Sequence, residues 1–255
     1  GEKKEYINLV KTMSSWADVL INVCLQTATT DVLLKELKNI NCPKILYMHG
    51  MHEFGWKRFY AKNILDLGHK LWGEFRWFWL YWGQKNNIEK YDLVIHLHEF
   101  DKAALFFKRH YKCQNSIIYN AGDDIFFYKE KCKLDKKYMA CVSRFDDNKN
   151  QKMLIDAYMQ SKAFENGLEL ILIGNESNEY SKKLEKYILR DAELSKNVKI
   201  LYNISREKIA DYVTNSFVFI MSSKHEAFPM VIIEAMAAGI PFISTDVVIV
   251  RYLPG

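Results

Sequence analysis

Two glutamates separated by seven residues, Glu226 and Glu234, frame the stretch E-A-F-P-M-V-I-I-E. Proline favours the first turn of a helix and glycine its far end, so Pro229 and Gly239 bracket an apolar helical run from Met230 to Ala238. Glu226 then lies on the loop before that helix, facing its amides. A helix N-terminus presents unpaired N–H groups and a partial positive charge, which suits a phosphate or diphosphate. Glu234 falls about one and a half turns inside, within reach of paired hydroxyls beside the phosphates, such as those of a ribose. A plainer reading makes Glu226 a helix cap and Glu234 an exposed surface glutamate. Arg144 and Lys149 add two cations on the loop that follows the apolar run YMACVS, residues 138–143. At the carboxyl end of a parallel strand they would neutralise a diphosphate leaving group. The plainer reading there pairs them with Asp146 or Asp147.

These groups need a scaffold, and the rest of the chain supplies a pattern for one. Short β-rich runs recur at ILYM (45–48), DLVIHL (92–97), YMACVS (138–143), LELILIG (168–174), NVKIL (197–201), FVFIM (217–221) and IPFIST (240–245). Between them lie segments with helical apolar spacing, such as Met153/Leu154/Ala157/Tyr158 and Leu184/Tyr187/Ile188. Strand and helix in alternation predict an α/β architecture with mostly parallel sheets covered by helices on both faces. Near residues 117–137 a strand runs into Asn120-Ala121-Gly122-Asp123-Asp124 and then a lysine-rich stretch, the composition of an interdomain connection. The predicted domains are 1–124 and 125–255.

In this order the motifs resemble those of the GT-B retaining glycosyltransferases of the group 1, or family 4, type. S-x-x-x-E-A-F-P-M-V-x-x-E-A-M-A-A-G-I-P is similar to their E-x7-E signature. SRFDDNKNQKMLIDAY, LILIGN, ISREKIADYVTNSFVFIMSS, IIYNAGDD and KILYMHG resemble further elements in the family's sequence order. The resemblance implies two Rossmann-like domains and retention of anomeric configuration without an obligatory metal or cofactor. It implies that Arg144 and Lys149 bind the donor diphosphate, that Glu234 holds the ribose hydroxyls and that Glu226 contacts the transferred sugar. The amides of Phe228, Met230 and Val231 beside Pro229 would face phosphate or sugar, and Gly174 and the 202–204 loop with Ile204 would lie near the nucleoside. His49 would approach the sugar from the opposing domain. Family members open with a strand and a glycine-rich loop, whereas this chain has no Gly-Gly pair and its first family-like strand is ADVLINV (17–23). An incomplete N-terminal domain and a truncated C-terminal one are expected. Ser143, Ala227 and Tyr202 stand where glycine is common.

Composition narrows the partners. The chain has 255 residues, 49% hydrophobic and 26% charged, which excludes disorder. A net charge of +5 is modest for a nucleic-acid binder. Five cysteines without a C-x-x-C pair suggest neither a disulfide framework nor a zinc site, and fit a reducing cytoplasm. No apolar run approaches the roughly 18–20 residues of a membrane span. Residues 55–84, however, hold five of the six tryptophans together with Lys57, Arg58, Lys62, Lys70 and Arg76. They read either as an interfacial helix touching a membrane surface or as a core helix with snorkelling lysines. The expected function is transfer of a sugar from a nucleotide-diphosphate donor, a UDP-sugar on the resemblance, to a membrane-proximal or lipid-linked glycan in bacterial surface polysaccharide or glycolipid synthesis. The enzyme would be cytoplasmic, or peripheral on the inner face of the plasma membrane. The alternatives are a nucleotide-sugar epimerase, a glycan phosphorylase or a non-catalytic binding protein of the same fold.

Overall fold

Among the described residues the short apolar runs become strands that pair only in parallel. The computed structural model describes residues 1–51, 61, 63–132 and 137–253, which divide into the units Gly1–Tyr119 and Asn120–Gly255. Residues 120–124, assigned above to the first domain, fall in the second. Gly122 packs there against Ile233 and Ala237 of the helix that carries Glu234.

The first unit holds β1 (Leu20–Val23), β2 (Lys44–Tyr47), β3 (Leu93–His96) and β4 (Gln114–Ile117), ordered β1-β2-β3-β4. Its helices are α1 (Glu2–Met13), α2 (Ala28–Asp31), α3 (Ile64–Phe78), α4 (Lys85–Ile88) and α5 (Lys102–His110). Leu46 and Val94 point into a core with Leu37, Ile88 and Phe107. Among the described residues, the expected helical cover is clear on one face of this sheet only. Ile21, Ile45 and Leu93 are register partners, as are Val23, Tyr47 and Ile95, and this face remains partly open, with Ile21 and Val23 about half exposed. The helical residues of the core gather on the opposite face.

The second unit obeys the expectation. Its strands are β5 (Lys137–Val142), β6 (Leu168–Gly174), β7 (Val198–Tyr202), β8 (Val218–Met221) and β9 (Phe242–Ser244), ordered β7-β6-β5-β8-β9. Its helices are α6 (Gln151–Ser161), α7 (Glu179–Ile188), α8 (Ala192–Asn197), α9 (Arg206–Thr214) and α10 (Met230–Ala237). Side chains alternate across a strand. Ala140, Ile171 and Ile173 therefore join α9 and α10 in one core layer, while Cys141, Leu170 and Leu172 join α6, α7 and α8 in the other. The first strand of the unit sits in mid-sheet with β6 on one side and β8 on the other, so the order reverses between β5 and β8. Open parallel sheets bind ligands beyond the carboxyl ends of strands at such a reversal.

Candidate donor site at the reversal of the second sheet

The loops after β5 and β8 flank that reversal, and hydrogen bonds to their backbone lace them together. The Lys224 amide donates to the Asn148 carbonyl at 2.7 Å, Asn148 Nδ2 donates to the His225 carbonyl at 2.9 Å, and Ser222 Oγ donates to the Lys149 carbonyl at 2.7 Å. Within the first loop the Lys149 amide donates to Asp146 Oδ1 at 2.9 Å, and Asn150 takes a left-handed conformation, φ 55°, just before α6. Buried Gln151 closes the base of the loop through Nε2, which donates to Ser143 Oγ at 2.8 Å and to the Arg144 carbonyl at 2.7 Å. Ser143 thus turns its departure from the family glycine into a hydrogen bond.

This lacing brings Lys149 and Glu226, far apart in sequence, into contact. Lys149 Nζ lies 2.5 Å from Glu226 Oε1, and the two side chains are only 17% and 14% exposed. Arg144 does not join them. Its side chain is 75% exposed and turns to Asp146, 3.7 Å away, which is the plainer pairing considered above. Asp146 thereby serves both the loop turn and Arg144.

Pro229 caps α10 rather than occupying its first turn, and Met230 is the first helical residue. No side chain caps this end. Phe228 is buried, Met230 and Val231 less so. At the other end Gly239 adopts φ 64°, and the Ile240 amide donates back to the Ala235 carbonyl at 2.9 Å, a left-handed stop that suits glycine.

Glu234 is not the exposed glutamate of the plainer reading, since it is 3% exposed. Its Oε1 accepts a hydrogen bond from Arg206 Nη2 at the start of α9. Arg206 Nε lies 3.4 Å from Asp123 Oδ2, and its guanidinium stacks 4.9 Å from the centre of the Phe126 ring. Burial pulls the Arg206 pKa down, but the bond to Glu234 and the charges of Glu234 and Asp123 outweigh it and raise the pKa overall. Arg206 and Asp123 were missed as site residues. They lie inside ISREKIADYVTNSFVFIMSS and IIYNAGDD, and no local spacing links either to Glu234.

Gly174 ends β6 against the buried Phe145 ring. A Cβ at 174 would lie 2.2 Å from Phe145 Cε2, so the close approach requires glycine. Tyr202 packs edge-on against the same ring at 5.4 Å and donates to Glu185 at 2.8 Å. The Asn203 amide donates to the Asn175 carbonyl at 3.0 Å, which joins the 202–204 loop to the end of β6; Ile204 is half-buried against the core. His49 belongs to the first unit. It is exposed just beyond β2, with its amide donating to Cys24 Sγ at 3.3 Å and its ring 4.7 Å from that of Tyr47. Among the described residues no group of three or more His, Cys, Asp or Glu side chains could hold a metal ion.

Residues 123–253 match the family described as Glycosyl transferases group 1. The chain is 32% identical over 136 residues to the amylovoran biosynthesis glycosyltransferase AmsD of Erwinia amylovora, covering 52% of this chain and 34% of that protein. It is 29% identical over 120 residues to a probable sucrose-phosphate synthase of Thermosipho melanesiensis, covering 46% of this chain and 28% of that one. Each match thus spans about a third of the relative. Among solved structures, Anabaena Alr3699/HepE in complex with UDP-glucose superposes with a TM-score of 0.66 at 20% identity, covering 98% of this chain and 65% of that one. That likeness gives the GT-B fold. The family match takes in the interlocked loops, the Lys149–Glu226 contact and the buried Glu234 on α10, and by it the chain belongs to the group 1 glycosyl transferases.

Proposed function

We propose that this chain carries the donor-binding machinery of a retaining glycosyltransferase that moves a sugar from a nucleotide-diphosphate donor, a UDP-sugar, to a membrane-proximal or lipid-linked glycan in surface polysaccharide or glycolipid synthesis. The observation that carries the reading is the Lys149–Glu226 contact at the sheet reversal, beside the uncapped start of α10. Transfer leaves negative charge on the departing diphosphate. Lys149 and the first amides of α10 supply fixed positive potential where that charge develops, the electrostatic contribution that usually dominates. Arg144, exposed at the mouth of the loop, swings from Asp146 to the diphosphate when donor arrives. Glu226, held by Lys149, is placed for the transferred sugar, and Glu234 offers the ribose its second carboxylate oxygen while Arg206 fixes the first. His49 is assigned to the transferred sugar on the family resemblance alone. No metal is required in this scheme. A UDP donor is supported by HepE, whose structure holds UDP-glucose, and a polysaccharide product by the similarity to AmsD, a glycosyltransferase of amylovoran biosynthesis. The protein works as a peripheral enzyme on the cytoplasmic face of the membrane.

Thermal unfolding of the chain against UDP-, GDP- and ADP-sugars tests this. A donor at 100 times its dissociation constant adds about 2.7 kcal/mol of stability. One nucleotide class should raise the midpoint, and Lys149→Ala and Glu234→Ala should blunt the rise. A folded sample that responds to no donor would sink the reading. Transfer of labelled sugar to an acceptor, rather than a changed free nucleotide sugar or phosphorolysis, separates it from the epimerase and phosphorylase alternatives.

A further inference from the structure

Helix α3 is built inside out. Its half-buried positions are Asp66, Lys70, Gly73, Glu74 and Trp77, one stripe at helical spacing. Polar residues dominate that stripe: Lys70 Nζ pairs with Asp66 Oδ2 at 3.0 Å, and Trp77 is the α3 side chain that packs against the core of the first unit. The opposite side carries Ile64, Leu67, Leu71, Phe75 and Phe78, flanked by Leu65 and Trp72, and all of it is exposed. Ile64 is 87%, Leu65 77%, Trp72 67% and Phe75 58% exposed, and no residue of the helix is buried. A surface helix in a soluble fold turns its apolar stripe inward. This one turns it outward, so residues 64–78 do not form a core helix, whereas Leu80 and Tyr81 just beyond it are buried in the core of the first unit. Lys57, Arg58 and Lys62, also named above in the 55–84 stretch, lie outside the described residues.

The apolar surface continues through the π-helical turn Trp79–Gly83 onto α5. The Trp82 ring is tilted against Phe78 at 6.3 Å and meets Phe106 and His110 edge-on at 5.5 and 4.9 Å. The last turn of α5 carries Lys108, Arg109 and His110, and both Lys108 and Arg109 are exposed. Charge points the same way on a larger scale. Residues 1–119 hold 17 Lys and Arg against 12 Asp and Glu, while residues 120–255 hold 19 against 19, so the whole net charge of +5 sits in the first unit.

We propose that the outward apolar face of α3, together with the basic end of α5, is a docking surface for an anionic lipid bilayer. A fifteen-residue helix is about 22 Å long, and no helix among the described residues is long and apolar enough to cross a membrane. The helix therefore lies flat, Trp72, Phe75 and Phe78 at headgroup depth and the basic end of α5 against the lipid charge. A second copy of the chain is the less favourable occupant, because two such faces would bring like net charge together. The proposal extends the membrane-proximal acceptor suggested above but needs no donor, so the two readings fail separately.

The test is co-sedimentation of the full chain, without nucleotide, with vesicles of phosphatidylcholine alone or with 30 mol% phosphatidylglycerol. At least tenfold more protein should bind the anionic vesicles. Leu71→Ser/Phe75→Ser, or Trp72→Ser alone, should lower that binding at least tenfold, and Lys108→Glu/Arg109→Glu should abolish the preference for phosphatidylglycerol. Leu189→Ser, at an exposed apolar position in the second unit, should change nothing. All these positions are exposed, and circular dichroism checks each fold. Equal binding by the wild type and the serine variants, or no binding to either vesicle, overturns the proposal. So does a dimer in sedimentation that the serine variants dissociate while vesicle binding is absent.

Discussion

Lys149 and Glu226 neutralise each other in a half-sheltered contact, so each becomes a liability without the other. Lys149→Ala should cost about 1–3 kcal/mol in urea unfolding, because the Glu226 carboxylate loses a charge-assisted partner while still largely out of water. The same variant should weaken donor binding by a similar amount, read by titration calorimetry. The second pair is more asymmetric. Arg206 is 43% exposed and Glu234 4%, so the carboxylate carries the burial cost. Arg206→Ala should destabilise by about 1–3 kcal/mol, and adding Glu234→Gln should recover part of that loss, since a neutral amide tolerates the site better than an orphaned charge. Strict additivity in that double-mutant cycle would mean the pair does not interact. Gly174→Ala pushes a methyl into the Phe145 ring and should cost about 1–3 kcal/mol in the same unfolding assay, with Phe145→Leu relieving part of it.

Strand β3 contributes a pH-sensitive element. His96 is fully buried, its Nε2 lies 2.9 Å from Asn115 Oδ1, and Asn115 Nδ2 donates to the Cys113 carbonyl at 2.7 Å. With the amide so fixed, His96 Nε2 must donate, which leaves Nδ1 as the unprotonated nitrogen, buried without a partner. Burial lowers the His96 pKa, only partly offset by the Asn115 bond and the Asp101 charge. The folded chain therefore takes up this proton less readily than the unfolded chain, whose histidine titrates near 6.5. Stability should be full above about pH 6.5 and decline as pH falls below it. Melting temperatures from pH 7.5 to 5.5 should fall less steeply in His96→Gln. Such elements also show what the sequence reveals. The α6, α7 and α10 helices and the second sheet follow from apolar period and from Pro229 and Gly239, which are local signals. The direction of the α3 stripe is not local: periodicity says that Ile64, Leu71 and Phe75 share a face but not whether that face looks in or out. Nor could alternation expose the open face of the first sheet, because β1 reads Leu-Ile-Asn-Val, with apolar residues on both sides. Arg206 escaped for the same reason, since only the packing of α9 beside α10 makes it a neighbour of Glu234.

The two units keep separate cores, one formed by residues of 1–119 and two by residues of 120–255. A fragment of residues 120–255 should thus unfold cooperatively on its own and keep a donor-dependent rise in melting temperature; a fragment that melts without a transition would show that the first unit is needed for folding. Charge is divided as unevenly as the cores are cleanly separated. With all of the net positive charge on one unit, the molecule has a built-in electrical heading, and an anionic surface exerts a torque on it during diffusion. On the proposed docking, the first unit should lead the approach, before any ring of α3 touches lipid. Ionic strength should then govern how fast the protein lands, while Leu71, Trp72 and Phe75 govern how long it stays.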